Sequence, residues 1–258
     1  MAKLTVLDAL NGQGRSDAQP VLVEEKPEIF AKKILEKSSL MRAPIDIFKI
    51  ANDLRLKLYE ENISEPGYLL KDSENEGVIF YKGPSFQHGL AWKFTIAHEI
   101  GHWVLERLTS AGSRSHETTL DNVEIWCNKF ASELLVPTEL LKNSVGNVPL
   151  TYEKFEQIKS LFEVSEDVLI NKLYSSLRIQ VVRVKKIGDK FVPLNEINKG
   201  NRLDLTNFEI AGIEGQNEKF SSEIHENRTL IGPEIVITRN GKLRRYLLIA
   251  VIESRSSA

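Results

Sequence analysis

The sequence predicts an α+β protein: a helical N-terminal part carrying a small β-sheet, then a short helical segment, then a β-rich C-terminal unit. Three observations predict it. Apolar residues recur at helical spacing in several windows before residue 178. Short β-type runs such as Gly77-Val78-Ile79-Phe80-Tyr81 interrupt those windows. After Leu177 the texture changes to the runs Ile179–Val184, Glu234–Ile237 and Tyr246–Val251, with Gly188-Asp189 and Asn240-Gly241 at turn positions between strands. The corresponding divisions are an N-terminal arm over 1–27, a first domain over 28–147, a helix-turn-helix-like segment over 148–178 and the β-rich unit over 179–258.

Residues 11–27 hold two glycines and two prolines and read as a linker. Glu28 to Ser38 places Ile29, Phe30, Ile34 and Leu35 on one helical face. Pro44 is suited to the first turn of a second helix with Ile45, Phe48, Ile50, Ala51 and Leu54. Leu56, Leu58 and 77–81 read as strands, separated by the turn-like Ser64-Glu65-Pro66-Gly67. Ser85 is a candidate cap for a helix running to about Leu108, on which Phe94, Ala97, Gly101, Leu105 and Leu108 keep register. A polar loop, Thr109 to Thr118, precedes another helix with Val123, Cys127, Phe130 and Leu134 in register, ending at Pro137. Residues 151–177 read as two helices split at Glu163-Val164, with Ser165 capping the second.

Composition narrows the function. Of 258 residues, 41% are apolar and 27% charged, which is ordinary for a globular protein. A net charge of -2 argues against nucleic-acid binding through bulk positive charge. The single cysteine excludes an intramolecular disulfide and suits a reducing compartment. No apolar run approaches the roughly 18 residues that span a bilayer, and the N-terminus lacks a secretory pattern. The expectation is a soluble cytoplasmic protein without membrane association.

The chemistry sits in His98-Glu99-Ile100-Gly101-His102, an H-E-x-x-H run on a predicted helix. Residues four apart share one face, so both imidazoles reach one metal ion, while Glu99 on the adjacent face can take a proton from water. Zinc suits two histidines and a carboxylate, and its charge acidifies water and polarises a carbonyl. The bland alternative, two core histidines, places two His and a Glu on a helix otherwise lined by Phe94, Ile96, Ala97, Ile100, Trp103, Val104 and Leu105. Burying them there without partners costs several kcal/mol, and a metal supplies the partner. Gly101, costly by about 1 kcal/mol in mid-helix, points to a close approach by substrate or backbone.

A third ligand must come from another element. Glu106 is eight residues from His98, about 12 Å along the same axis, and too far. Glu124 on the following helix is the best candidate, with Asn128 one turn on as a hydrogen-bond partner for a ligand. Glu124 could instead be the glutamate of a capping box after Asp121. His116, Glu117 and Asp121 are rival ligands, and Cys127 reads as a small buried thiol.

The run Phe94-Thr95-Ile96-Ala97-His98-Glu99-Ile100-Gly101-His102 followed by Glu124-Ile125-Trp126-Cys127-Asn128-Lys129-Phe130-Ala131-Ser132-Glu133-Leu134-Leu135-Val136-Pro137 resembles the ImmA/IrrE family of metallopeptidases. The family pattern is F-T-x-A-H-E-x-G-H, then E-x-x-A-N-x-F-A-x-x-L-L-M-P. The run from Ala43 to Ala51 resembles its opening helix, and the likeness covers roughly residues 28–177. The resemblance implies a zincin-like fold, His98, His102 and Glu124 as metal ligands, and Glu99 as general base. It implies Zn2+ as cofactor, with Mn2+ or another divalent metal possible in the cell. It also implies a substrate class: helix-turn-helix repressors, cut to switch on stress-response or mobile-element genes. Cys127, Val136 and Trp126 depart from the pattern, where Ala, Met and often an acid stand. An arginine usual near Ala91 is missing, with Lys93 as a stand-in.

The implied reaction is metal-assisted peptide hydrolysis by a metalloendopeptidase. Ile79, Phe80 and Tyr81, just before the active helix, are expected either to bind substrate as an added strand or to form a plain core strand. His88 and His116 are candidate oxyanion donors. Two other classes stand beside this one. The 155–177 segment could read DNA, although its second helix opens Ser165-Glu166-Asp167, which repels phosphates. The zinc could also be structural in a non-catalytic interaction protein, although such sites usually fill all four positions with protein ligands.

Overall fold

A computed structural model describes residues 26–73, 76–110, 120–147, 150–187, 190–193, 224–225, 228–239 and 242–251. The expected arm over 1–27 falls almost wholly outside the described residues. So do most of the loop over 109–118, with His116 and Glu117, and both expected turn pairs, Gly188-Asp189 and Asn240-Gly241. The chain divides into two compact units, Met1–Ser144 with Lys159–Lys172 and Val145–Ile158 with Leu173–Ala258. No helix among the described residues is long and apolar enough to cross a membrane.

In the first unit, helix α1 (Pro27–Lys37) starts with Pro27 in its first turn and buries Phe30, Ala31, Ile34 and Leu35. Helix α2 (Ile47–Asp53) begins later than Pro44 suggests. Its cap is Asp46, whose Oδ1 accepts from the Lys49 amide at 2.9 Å, and an aspartate at this position satisfies a donor that proline cannot. Strands β1 (Leu56–Glu60), β2 (Gly67–Lys71) and β3 (Gly77–Tyr81) form one sheet in the order β1-β3-β2. β1 runs parallel to β3 and β2 antiparallel to it. The sequence reading missed β2, because the turn-forming Ser64-Glu65-Pro66-Gly67 runs straight into it and only Tyr68-Leu69-Leu70 carries a strand signal.

Helix α3 (Ala91–Ser110) starts six residues after the expected cap. Ser85 instead donates its amide to Glu60 Oε1 at 2.7 Å, which anchors the loop that leads into the helix. Helix α4 (Leu120–Leu135) packs against α1 and α3 and buries Cys127, Phe130, Ala131 and Leu134. Helix α5 (Thr138–Val145) follows after Pro137. Its first amide, at Thr138, donates to Glu133 Oε1 at 2.9 Å, and the Thr138 hydroxyl donates to Oε2 at 2.7 Å. The Lys172 ammonium bonds the same carboxylate, and both charged side chains are buried.

The predicted split at 163 is present. Helix α6 (Tyr152–Phe162) is capped by Thr151, and helix α7 (Glu166–Leu177) by Ser165, whose hydroxyl accepts from the Val168 amide at 3.4 Å. Beyond it, strands β4 (Ile179–Ile187), β5 (Lys190–Pro193), β6 (Ile224–His225), β7 (Arg228–Arg239) and β8 (Lys242–Val251) pair in the order β5-β4-β8-β7-β6. β4 and β8 are parallel, and the other neighbours are antiparallel. The β7–β8 register shifts between Ile231 and Ile235, where Gly232-Pro233 interrupts the ladder because proline has no N–H to give.

Candidate metal centre

Two adjacent helices build the site. α3 contributes His98 and His102 from one face, one turn apart. α4 contributes Glu124 and, one turn further on, Asn128. Gly101 allows the two helices to meet: a Cβ there would lie 3.2 Å from Cys127 Cα and 3.3 Å from its Cβ. The close approach expected of this glycine is therefore to the backbone of α4.

His98 Nε2, His102 Nε2 and the Glu124 carboxylate lie within 4.8 Å of one another. The two ring nitrogens are 3.0 Å apart, Glu124 Oε2 is 3.1 Å from His98 and Oε1 is 3.2 Å from His102. Donors bound to one tetrahedral cation at about 2.0–2.1 Å would stand roughly 3.3 Å apart. The three atoms already form such a triangle, so this donor set fits a divalent metal. His98 Nδ1 donates to Asn128 Oδ1 at 3.0 Å. That bond places the proton on Nδ1 and leaves the Nε2 lone pair facing the triangle. His102 is held below the usual histidine range, chiefly by burial and then by neighbouring His98, against the pull of Glu124. It is therefore neutral, as a ligand must be.

Glu99 sits beside this triangle and is 9% exposed. Burial, reinforced by the Glu124 charge, pushes its carboxyl up to about 7, against a hydrogen bond from the Leu69 backbone of β2. A carboxyl poised near neutrality can both accept and return a proton. The Leu69 amide is a contact the sequence reading did not foresee, since β2 itself was missed.

The remaining candidates separate clearly. Asp121 lies in the first turn of α4, inside the helix rather than capping it, so Glu124 is not the third residue of a capping box. Asp121 is also absent from the ligand cluster. Glu106 pairs with Lys71 of β2. Cys127 is fully buried, and burial with the Glu124 and Glu99 charges pushes its thiol up to about 12, so it stays protonated. Lys93 pairs with Glu163 at 2.5 Å. His88 is exposed in the loop before α3.

Ile79, Phe80 and Tyr81 require a correction. They lie on β3, the central strand, whose two edges are taken by β1 and β2. No backbone donor or acceptor row is left there for an added strand, and Ile79 and Tyr81 are buried in the core. Within this pairing the strand with an unpaired edge on the Glu99 side is β2.

Residues 87–174 match the family model Peptidase_M78, described as the IrrE N-terminal-like domain. Comparison with the curated proteins finds no match.

Proposed function

With residues 87–174 an IrrE N-terminal-like domain of the ImmA/IrrE metallopeptidases, we propose that this protein is a zinc-dependent endopeptidase acting on a protein substrate. The observation that carries the reading is the triangle of His98 Nε2, His102 Nε2 and the Glu124 carboxylate with the buried Glu99 at its side. His98, His102 and Glu124 would hold the ion and leave one position free of protein ligands among the described residues. When bound, zinc supplies the charge that polarises a peptide carbonyl and acidifies water. Glu99 then takes the proton from the attacking water and hands it to the departing amine nitrogen. Asn128 keeps the His98 ring in its working orientation through Nδ1. Among the described residues no strand pairs with the outer edge of β2, whose amide and carbonyl row offers a place for an extended substrate.

The family resemblance directs the choice of substrate to a helix-turn-helix transcriptional repressor, cleaved in the cytoplasm to release stress-response or mobile-element genes. In this reading residues 28–147 form the peptidase domain, 148–178 a helical segment and 179–258 a β-rich C-terminal domain. The DNA-binding alternative draws no support from α7. That helix opens with Glu166 and Asp167, and its single lysine, Lys172, is buried against Glu133. The test is to incubate zinc-loaded protein with purified helix-turn-helix repressors from the same genome. Appearance of two fragments, abolished by a chelator and by Glu99→Gln, is the expected result, and repressors that all stay intact would refute the substrate assignment.

A further inference from the structure

The outward side of the β1-β3-β2 sheet carries one charged side chain within the strands, Lys57 of β1, and is otherwise apolar toward the β2 edge, where a solvent-facing side of a small sheet is ordinarily polar. Strand alternation sends Tyr59 of β1, Val78 and Phe80 of β3, and Tyr68 and Leu70 of β2 to that side. Tyr59 is 49% exposed and Leu70 52%. The Phe80 ring is stacked between Tyr59 at 5.6 Å and Tyr68 at 5.0 Å. The other side of the sheet faces α3: a Cβ on Gly67 would meet Thr95 Cγ2 at 2.5 Å, and one on Gly77 would meet Trp103 at 2.8 Å.

Hydrogen-bond parity shows what the outer edge of β2, unpaired among the described residues, presents. Lys82 donates its amide to the Pro66 carbonyl, and Asp72 to the Glu76 carbonyl. The ladder to β3 therefore uses the even-numbered residues of β2, and Gly67, Leu69 and Lys71 turn their N–H and C=O groups outward. Leu69 directs its amide at Glu99. In a peptide laid along this edge, every second side chain would point toward α3 and the ligand cluster. The others would fall on the outer face, beside Tyr68 and Leu70.

We infer that Tyr68 and Leu70 are specificity-determining residues that select an extended substrate segment with apolar side chains at the two alternate positions opposite them. The inference rests on the peptidase reading above and adds the class of sequence that is accepted. Directly opposed side chains on one sheet face stand about 4.5–5.5 Å apart at Cβ, close enough to cover one another. Nearby charges are already matched: Lys57 with Asp72 at 3.5 Å and Glu76 at 3.9 Å, and Lys71 with Glu106. Apolar contact is thus the interaction left to discriminate.

The test uses the full chain carrying Glu99→Gln, loaded with zinc, and fluorescein-labelled peptides with either Leu or Ser at two alternate positions. Fluorescence anisotropy should show the Leu peptide binding roughly tenfold more tightly, about threefold for each cross-strand pair. The double substitution Tyr68→Thr, Leu70→Thr should erase that preference, Tyr68→Phe should keep it, and Tyr59→Thr, two strands from the edge, should leave it intact. Equal binding of the two peptides overturns the inference. So does a preference that survives the double substitution or that Tyr59→Thr removes equally. Cleavage of the same peptides by the unsubstituted protein is scored separately. Cleavage without Leu preference sinks the specificity assignment alone, and preference without cleavage sinks the peptidase reading alone.

Discussion

Replacing Glu99 by glutamine should make the metal-free protein more stable and the enzyme inactive. The carboxyl rises from 4.5 to about 7 on folding, chiefly through burial. At about 1.36 kcal/mol for each tenfold change in protonation ratio, that corresponds to about 3 kcal/mol. The sign follows from linkage. A folded-state value above the unfolded one favours the protonated carboxyl. The contribution is therefore fully present below about 4.5 and is lost as the pH rises through about 7. At pH 8 the chelator-treated wild-type protein holds a charged Glu99 at this cost, and the glutamine variant does not. The variant should then melt higher by about 6–12 °C for a unit of this size, with the gap closing toward pH 4.5. Addition of zinc to the wild type should narrow the gap at pH 8, because a cation in the ligand triangle favours the charged carboxylate. Peptide cleavage by the zinc-loaded variant should fall at least 100-fold. Differential scanning fluorimetry across pH, with and without zinc, and a cleavage assay decide it. A variant that melts at or below the wild type at pH 8, or that cleaves at the wild-type rate, would refute both the burial and the base assignment.

Other perturbations probe the same construction. Asn128→Ala should weaken zinc binding about 10–100-fold by freeing the His98 ring, measured by competition with a coloured chelator, while helix content by circular dichroism stays unchanged. Acidification should weaken zinc binding when His102 takes a proton, and because His102 is depressed that loss should come below the ordinary histidine value of 6.5, read by the same chelator competition across pH. Gly101→Ala should gain up to about 1 kcal/mol in helix propensity yet lose about 1–3 kcal/mol to the contact with Cys127. The net result should be a lower urea midpoint, with zinc affinity reduced because Glu124 shifts with α4. Lys172→Met leaves the buried Glu133 carboxylate without its cation and should cost about 3–5 kcal/mol in urea unfolding.

The parts of the site legible in the sequence are those set by helical periodicity. Spacing of four places His98 beside His102 and Glu124 beside Asn128 regardless of context, and an apolar stripe orients each helix. What escaped the reading depends on strand order, which periodicity does not encode. A run such as Val78-Ile79-Phe80-Tyr81 looks the same whether it ends at the centre or the edge of a sheet, so the sequence leaves Ile79, Phe80 and Tyr81 open between a substrate-binding strand and a core strand, and strand order decides for the core. The caps show the same limit on a smaller scale. Pro44 and Ser85 both carry good start signals, but Asp46 has the oxygen that reaches the first turn of α2, and Ser85 donates its amide to Glu60 instead.

The order β1-β3-β2 has a consequence for assembly. The middle strand is the last of the three to be synthesised, so the first two have no partner until residue 81 has emerged. The β2–β3 hairpin can therefore close only at that point, β1 is added to it in parallel, and α3 starts only ten residues afterward. The wall that carries Leu69 and the floor that carries the two imidazoles should consequently arise as one cooperative piece. Nascent chains that stop short of that point would contain neither.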